Sequence, residues 1–350
     1  MFMTWIIENE AFADGDILLP ALKELKKDII LWDDNFWNTE EYKSFPDDWI
    51  FHGSLGNVAK LEKKFPFHPG LNYSEAFFSY SFTHDTFTKY MLNKEVVFTT
   101  ISEVLSNPFI TKQLKTEKLF ARPDSPLKEF SGRIIPSENL TPAHFDYGFY
   151  HENINLPIVL APVKLIEKEY RFICVNQQIV TGCEYVADGR KGGRTISSKD
   201  KEPAWDFAQK IADDNDSFFI TAYVIDVCLS NGSLYLVEMN PFSGADLYHC
   251  DAKVIVESIE ESIKNKKKYD DFLESLRVED VWHEDHRWKN QILSRCHGSC
   301  FTYIMFVDGL YKVEVYLDCG TVDMASWKSF TSLEEAKDFA EKEMLQLDAW

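Results

Sequence analysis

Two carboxylates and a carboxamide stand at the centre of two neighbouring apolar segments. Asp226 lies in the run YVIDVC at 223–228, and Glu238 and Asn240 lie in the run LVEMNP at 236–241. A charge in a buried strand is costly unless it is paired or bound to a cation, and side chains alternate along a strand, so Glu238 and Asn240 share a face. Oxygen ligands of this kind suit Mg²⁺ that carries nucleotide phosphates, not Zn²⁺. The pattern predicts a magnesium site, with edge-strand charges facing water as the alternative.

Longer motifs surround these residues. The segment EMNPFSGADLY at 238–248 is preceded by RPDSPLKEFSG at 122–132 and by EYRF at 169–172. Together they resemble the ATP-grasp branch that is named for two arginines and a lysine, a group common in phage and bacterial genomes. The resemblance covers residues 115–265 well, the N-terminal region loosely, and the last 80 or so residues not obviously.

The resemblance implies an α+β fold in which two subdomains sandwich ATP and the late carboxylates hold Mg²⁺. It implies that Arg122, Lys128 and Arg171 are the catalytic cations that face the phosphates. The Pro-, Ser- and Gly-containing loop at 123–132 has the composition of a mobile cover around Lys128. Arg171 has apolar neighbours, and a guanidinium there requires a buried anion, for which the γ-phosphate is the candidate. A salt bridge to Glu169 or Glu184 is the alternative for Arg171.

The same resemblance implies an adenine hinge and a ribose contact. Pro162, Val163 and Lys164 would form the hinge, where Pro162 offers only a carbonyl and Val163 offers an N–H. Glu167 or Glu169 would bind the ribose hydroxyls. An ordinary apolar strand is the alternative reading of this segment.

A basic, glycine-containing patch and the end of the metal strand complete the expected site. Arg190, Lys191 and Arg194 flank two glycines, but the patch lacks the Gly-Lys-Ser/Thr ending of a Walker loop. We expect it to close over triphosphate or an acidic substrate, with a solvated loop as an equal alternative. Ser243 and Gly244 would abut the acyl-acceptor position.

The resemblance implies a carboxylate–amine ligase that depends on ATP and Mg²⁺ and forms an amide through an acyl phosphate. Its partners would be a carboxylate substrate and an amine acceptor, each a small molecule, a peptide or a protein terminus. Two alternatives stay open: an ATP-dependent phosphotransferase, and a nucleotide-binding interaction module without turnover.

The order of apolar runs and turn signals predicts three regions. Residues 1–115 read as an α/β domain, 116–268 as the ATP-grasp domain, and 269–350 as a linker helix with a small ββα appendage. We expect a hairpin at Asn176-Gln177, a polar loop over 186–201, and a connecting helix over 270–294.

Composition excludes several classes of function. The chain has 57 Asp and Glu against 37 Lys and Arg, a formal net charge of −20, which makes nucleic acid a poor partner. No apolar run is long enough to cross a bilayer, and the N-terminus does not read as a signal peptide. We therefore expect a soluble cytoplasmic enzyme, with homo-oligomerisation left open. The seven cysteines read as reduced thiols, and a metal site on Cys296, Cys300 and Cys319 is a minor alternative.

Overall fold

The computed structural model describes residues 3–12, 15–32, 48–65, 68–146, 148, 152–187, 190–215, 220–276, 283–284, 291–297, 300–307, 310–318 and 322–347. The chain divides into two units, residues 1–263 and 264–350. The first unit contains three sheets and the second contains one. The α+β fold class predicted from the sequence is confirmed.

The chain begins with a small parallel sheet, as the α/β prediction requires. Its strands β1 (Thr4–Ile7), β2 (Asp28–Leu31) and β3 (Trp49–His52) take the order β2-β1-β3, with helices α1 (Leu18–Glu24) and α2 (Leu55–Lys64) beside them. The central and third strands are almost wholly apolar and buried, which is typical of parallel strands covered on both faces. Ser54 starts α2, because its side chain accepts the backbone N–H of Asn57.

A four-stranded antiparallel sheet follows and supplies one wall of the candidate site. Its order is β4-β7-β5-β6, and its inner face packs around Ile101, Leu119 and Leu160. Three short helices lie before its second strand. The bounds are α3 (Tyr80–Phe87), β4 (Val97–Thr100), α4 (Ile101–Ser106), α5 (Phe109–Lys112), β5 (Lys118–Pro123), β6 (Arg133–Pro136) and β7 (Pro157–Pro162).

A five-stranded antiparallel sheet of order β10-β9-β8-β11-β12 supplies the other wall. The hairpin at Asn176-Gln177 is confirmed, and both residues have positive φ, as the tight turn between twisted strands needs. The bounds are β8 (Lys168–Val175), β9 (Gln178–Ala187), β10 (Arg190–Ile196), α6 (Pro203–Asp213), β11 (Ala222–Ser230), β12 (Ser233–Pro241) and α7 (Ala252–Leu276).

The predicted polar loop over 186–201 is wrong for its central part, because residues 190–196 form strand β10. This strand pairs with β9, and its register shifts between Lys191 and Arg194, where the two glycines lie. Glycine and charged residues have low intrinsic strand propensity, so only the long-range pairing with β9 reveals the strand.

The second unit is larger than the ββα unit expected for it. Its antiparallel strands run in sequence order, and the helix packs on them through Ile304, Val313, Ala336 and Ala340. Part of the expected connecting helix is also wrong, because residues 291–297 are a strand whose mixed polar sequence gives little alternation. The bounds are β13 (His283–Glu284), β14 (Gln291–His297), β15 (Cys300–Val307), β16 (Leu310–Asp318), β17 (Val322–Phe330) and α8 (Leu333–Leu347). Across the described residues, every helix is too short or too polar to span a bilayer.

Candidate functional site

Strand register brings the two predicted carboxylates face to face. Asp226 on β11 is the direct partner of Glu238 on β12, and the register shifts immediately after Asp226. The amide nitrogen of Asn240 donates to Oδ2 of Asp226 at 2.9 Å and to Oε1 of Glu238 at 3.0 Å. The three side chains predicted to bind metal therefore form one polar group at the edge of an apolar sheet.

Arg171 enters this group from the other side of Asp226. It is the register partner of Asp226 on β8, and its Nε and Nη2 donate to the two carboxylate oxygens at 2.8 and 2.6 Å. Its Nη1 donates to the backbone carbonyl of Asp246. The sequence alternatives for its partner, Glu169 and Glu184, are replaced by Asp226, which is buried like the arginine itself.

Arg122 and Lys128 come from the four-stranded sheet and the loop after it. Nη1 of Arg122 donates to Oε2 of Glu238 at 2.5 Å, and Nζ of Lys128 donates to Oε1 at 3.0 Å. Arg122 is buried, whereas the Lys128 side chain is 38% exposed. Glu238 is thus the residue at which the two sheets meet.

The start of the loop at 123–132 is anchored to helix α3. Asp124 accepts the backbone N–H of Ser81 at 2.7 Å and its hydroxyl at 2.8 Å. Lys128 itself has φ of +52°, in the left-handed region that costs a side-chain-bearing residue energy. The loop therefore holds its lysine in a specific, strained turn over Glu238.

The two carboxyls differ electrostatically although they are neighbours. Burial alone would raise the pKa of Glu238, but Lys128 and Arg122 outweigh it and hold this pKa well below its usual value. Burial raises the pKa of Asp226, and the opposing effect of Arg171 does not fully cancel it. Burial would lower the pKa of Arg171, yet Asp226 keeps it well above its usual value, so the arginine remains charged.

Three tyrosines that sequence reasoning missed enclose the arginines. The Arg122 guanidinium lies 4.8 Å from the ring centre of Tyr80, and that of Arg171 lies 4.7 Å from Tyr248. Tyr185 stacks on Tyr248 with ring centres 4.6 Å apart. Stacked guanidinium groups keep their N–H edges free for in-plane acceptors such as carboxylate or phosphate. The sequence offers little signal for these tyrosines, because they come from three separate segments.

The predicted hinge and ribose residues lie beside the site. Pro162 ends strand β7, and Val163 is exposed just beyond it, with Lys164 also exposed. Glu169 lies on β8, where burial and the nearby Asp226 carboxylate raise its pKa, and where Tyr185 is a hydrogen-bond partner. The backbone N–H of Glu167 donates to the carbonyl of Leu229 at 2.9 Å. Nucleotide contacts at these residues stay a prediction.

Arg194 of the basic patch is engaged elsewhere. Its Nη2 donates to Glu202 at 2.5 Å and lies 3.9 Å from Glu184. The side chains of Arg190 and Lys191 lie outside the described residues. A role for this patch in closing over phosphates is still a prediction.

Ser243 has a structural contact in place of an open one. It is fully buried, and its Oγ accepts the backbone N–H of Asn72 at 3.1 Å. A Cβ on the adjacent Gly244 would lie 2.2 Å from the side chain of Leu55, so glycine permits close packing there. The segment just past Asn240 therefore docks on the N-terminal sheet, while a substrate contact for either residue remains a prediction.

The described cysteines fit the expectation of reduced thiols. Cys174, Cys183, Cys228 and Cys250 are free and buried. The side chains of Cys296 and Cys300, and all of Cys319, lie outside the described residues, so the metal alternative stays a prediction. Among the described side chains, no three His, Cys, Asp or Glu residues converge as a metal site.

The donor set on β11 and β12 nonetheless fits magnesium chemically. It combines two carboxylates with one carboxamide, and Mg²⁺ usually takes one or two carboxylates together with substrate phosphates and water. Each carboxylate already faces a cation, at the 2.5–3.0 Å separations given above. Phosphate oxygens could take over these cations and so leave the carboxylates for the metal.

Comparisons with known proteins agree with this geometry. Residues 91–257 match a family model that is described as an ATP-grasp domain, family 2 of its clade. A crystal structure of D-alanine–D-alanine ligase from Bacillus anthracis complexed with ATP is similar at 12% identity and a TM-score of 0.52, over 77% of this chain and 99% of that one. The D-cycloserine synthetase DcsG is similar at 11% identity and a TM-score of 0.51, over 74% and 99%. At these identities the likeness concerns the fold. No curated protein matches the chain significantly by sequence.

Proposed function

We propose that this chain, whose residues 91–257 form an ATP-grasp domain, is an ATP- and Mg²⁺-dependent ligase. In the proposed reaction a substrate carboxylate attacks the γ-phosphate of ATP, which gives an acyl phosphate and ADP. An amine then displaces phosphate and leaves an amide.

One observation carries this proposal. Three cations from two different sheets, Arg122, Lys128 and Arg171, converge on the opposed pair Asp226 and Glu238. Two of the cations are buried, and buried cations require anions. A triphosphate brings the negative charge that would engage all three at once, so this arrangement is suited to phosphoryl transfer.

The residues have separate tasks in this proposal. Asp226, Glu238 and Asn240 would hold Mg²⁺, which supplies charge neutralisation and orientation of the phosphate oxygens. Arg122 and Lys128 bind and neutralise phosphate oxygens beside Glu238. Arg171, fixed by Asp226 and stacked on Tyr248, keeps an orientation that two short hydrogen bonds define. Catalysis then rests on positioning and electrostatics.

Isotope transfer tests the acyl phosphate directly. The protein is incubated with ATP, Mg²⁺, an amine pool and a pool of amino acids that carry ¹⁸O in their carboxylates. A ligase transfers one ¹⁸O from the carboxylate to inorganic phosphate, and mass spectrometry detects the amide. A stable phosphorylated product without amide would support the phosphotransferase alternative.

Charge-matched variants make the test specific. We expect Glu238→Gln to lower ADP release about a hundredfold or more, because it removes a charge at the reacting phosphates. Glu138→Gln removes the same charge from an exposed position and serves as the control. Equal turnover in the two variants would contradict a role for Glu238, and absence of ATP binding in the wild-type protein would contradict the whole proposal.

A further inference from the structure

A second group of acidic side chains lies outside the phosphate cluster. Its centre is Tyr73, which is only 4% exposed and whose hydroxyl has no hydrogen-bond partner. Oε2 of Glu129 is likewise buried and unpartnered. Buried polar atoms are nearly always satisfied, so two orphaned ones in one region indicate a ligand that the protein is built to accept.

Packing and hydrogen bonding bring four side chains together here. Tyr73 packs in one apolar cluster with Leu61 and Leu127, the close chain neighbours of Glu62 and Glu129 respectively. The backbone N–H of Glu75 donates to the carboxylate of Glu62. Burial and then the charges of Glu75, Glu62 and Glu129 raise the pKa of the Tyr73 hydroxyl, so the three carboxylates surround it. We call these four residues the acidic pocket: Glu62, Tyr73, Glu75 and Glu129.

The charge of the acidic pocket selects the ligand. Three carboxylates repel one another, and burial together with Glu75 already raises the pKa of Glu62, so a cation relieves the site. The described residues contain no cluster of three acidic or other metal-binding side chains placed to chelate an ion. A wider organic cation fits this spacing better, because an ammonium group donates three hydrogen bonds to separate acceptors.

The position of the acidic pocket connects it with the phosphates. Glu129 follows Lys128, whose ammonium contacts Glu238. Asn72, which precedes Tyr73, donates its backbone N–H to Ser243 and accepts the N–H of Ala222 on β11. The pocket is therefore attached on both sides to the segments that form the nucleotide site.

We propose that the acidic pocket of Glu62, Tyr73, Glu75 and Glu129 binds a primary ammonium group of the amine substrate. This inference rests on the proposed ligase function for the word substrate, and on the pocket alone for the ligand class. Carboxylates accept the ammonium N–H groups, and the Tyr73 hydroxyl, with its buried oxygen, accepts another.

Direct binding tests the pocket independently of turnover. n-Butylammonium and its neutral counterpart 1-butanol are titrated into the full chain at 150 mM NaCl and followed by ligand-observed NMR. We expect saturable binding of n-butylammonium alone, and at least tenfold weaker binding in Glu129→Gln and in Glu62→Gln. Glu138→Gln makes the same change of net charge at an exposed position and should bind within twofold of wild type.

ATP affinity, measured in the same samples, shows that each variant is folded and separates the two proposals. Equal binding of the alcohol, or the same small loss in all three glutamine variants, would overturn the acidic pocket whatever the enzyme catalyses. Ammonium binding that depends on Glu129 and Glu62 supports the pocket, even if the isotope experiment detects no amide and so contradicts the ligase.

Discussion

Arg171 and Asp226 are directly opposed on neighbouring strands, and the guanidinium donates to both carboxylate oxygens at 2.8 and 2.6 Å. Both side chains are buried, with exposures of 5% and 1%. Each therefore depends on the other for compensation of its charge, and the pair fixes the edge of the sheet on which the candidate site is built.

Replacement of Arg171 should therefore be costly. We expect Arg171→Met to lower the free energy of unfolding by about 3–5 kcal/mol, because it leaves the Asp226 charge buried and unpaired. The double variant Arg171→Met/Asp226→Asn should lose less than the single one, since no charge is then stranded. Urea unfolding measures both values, and simple additivity of the two single substitutions would contradict the paired arrangement.

Lys128 offers the contrasting case, because it is partly exposed. We expect Lys128→Met to change the free energy of unfolding by less than about 1 kcal/mol, as is usual for exposed ion pairs. It should weaken ATP–Mg²⁺ binding by about ten- to a hundredfold, because hydrogen bonds to charged groups contribute about 1.5–3 kcal/mol. Calorimetric titration with a non-hydrolysable ATP analogue gives the affinity.

The matched control for Lys128 is Lys118→Met, which removes an exposed lysine at the start of the same strand. It should leave nucleotide affinity within twofold of wild type. A similar loss in both variants would mean that general charge attraction, and not a specific contact of Lys128, governs nucleotide binding.

Much of the candidate site could be predicted from local sequence. Asp226 and Glu238 stand out because each is a charge in an apolar strand, and the structure indeed places them face to face. Arg122 and Lys128 were identified only through resemblance to a family, since nothing local shows that they meet Glu238. Their catalytic roles stay predictions.

What the sequence could not reveal depends on contacts between distant segments. Strand β10 exists through its pairing with β9, although its own residues favour a loop. Tyr248 became part of the site because the turn after Asp246 places its ring over Arg171. The extra strands of the second unit likewise lack a strong alternation of polar and apolar residues, and neighbouring strands define them.

The titration of Glu62 gives a pH-dependent test of the acidic pocket. Burial and Glu75 raise its pKa above 4.5, while the Glu75 backbone N–H and the Lys63 ammonium act in the opposite sense. A raised pKa means that the folded protein binds the proton more tightly than the unfolded chain does. Stability from this group is therefore fully present below pH 4.5 and is lost as the pH rises through the raised pKa.

The free energy of unfolding of wild type minus that of Glu62→Gln should accordingly fall as the pH increases from about 4.5. Urea unfolding between pH 4 and pH 7 measures this difference. Glu103→Gln is a control of opposite sign, since hydrogen bonds from Thr99 and Thr100 lower the pKa of Glu103 and its contribution is lost as the pH falls. The same slope in both comparisons would contradict a buried Glu62.

Ser243 distinguishes a structural role from the substrate role expected from the sequence. Its Oγ accepts the backbone N–H of Asn72 inside the protein, at 3.1 Å. We expect Ser243→Ala to lower the free energy of unfolding by about 1–3 kcal/mol, because that N–H is left buried without a partner. The KM for the carboxylate substrate should stay unchanged once the folded fraction is taken into account. Unchanged stability with a raised KM would instead place this hydroxyl at the acyl-acceptor position.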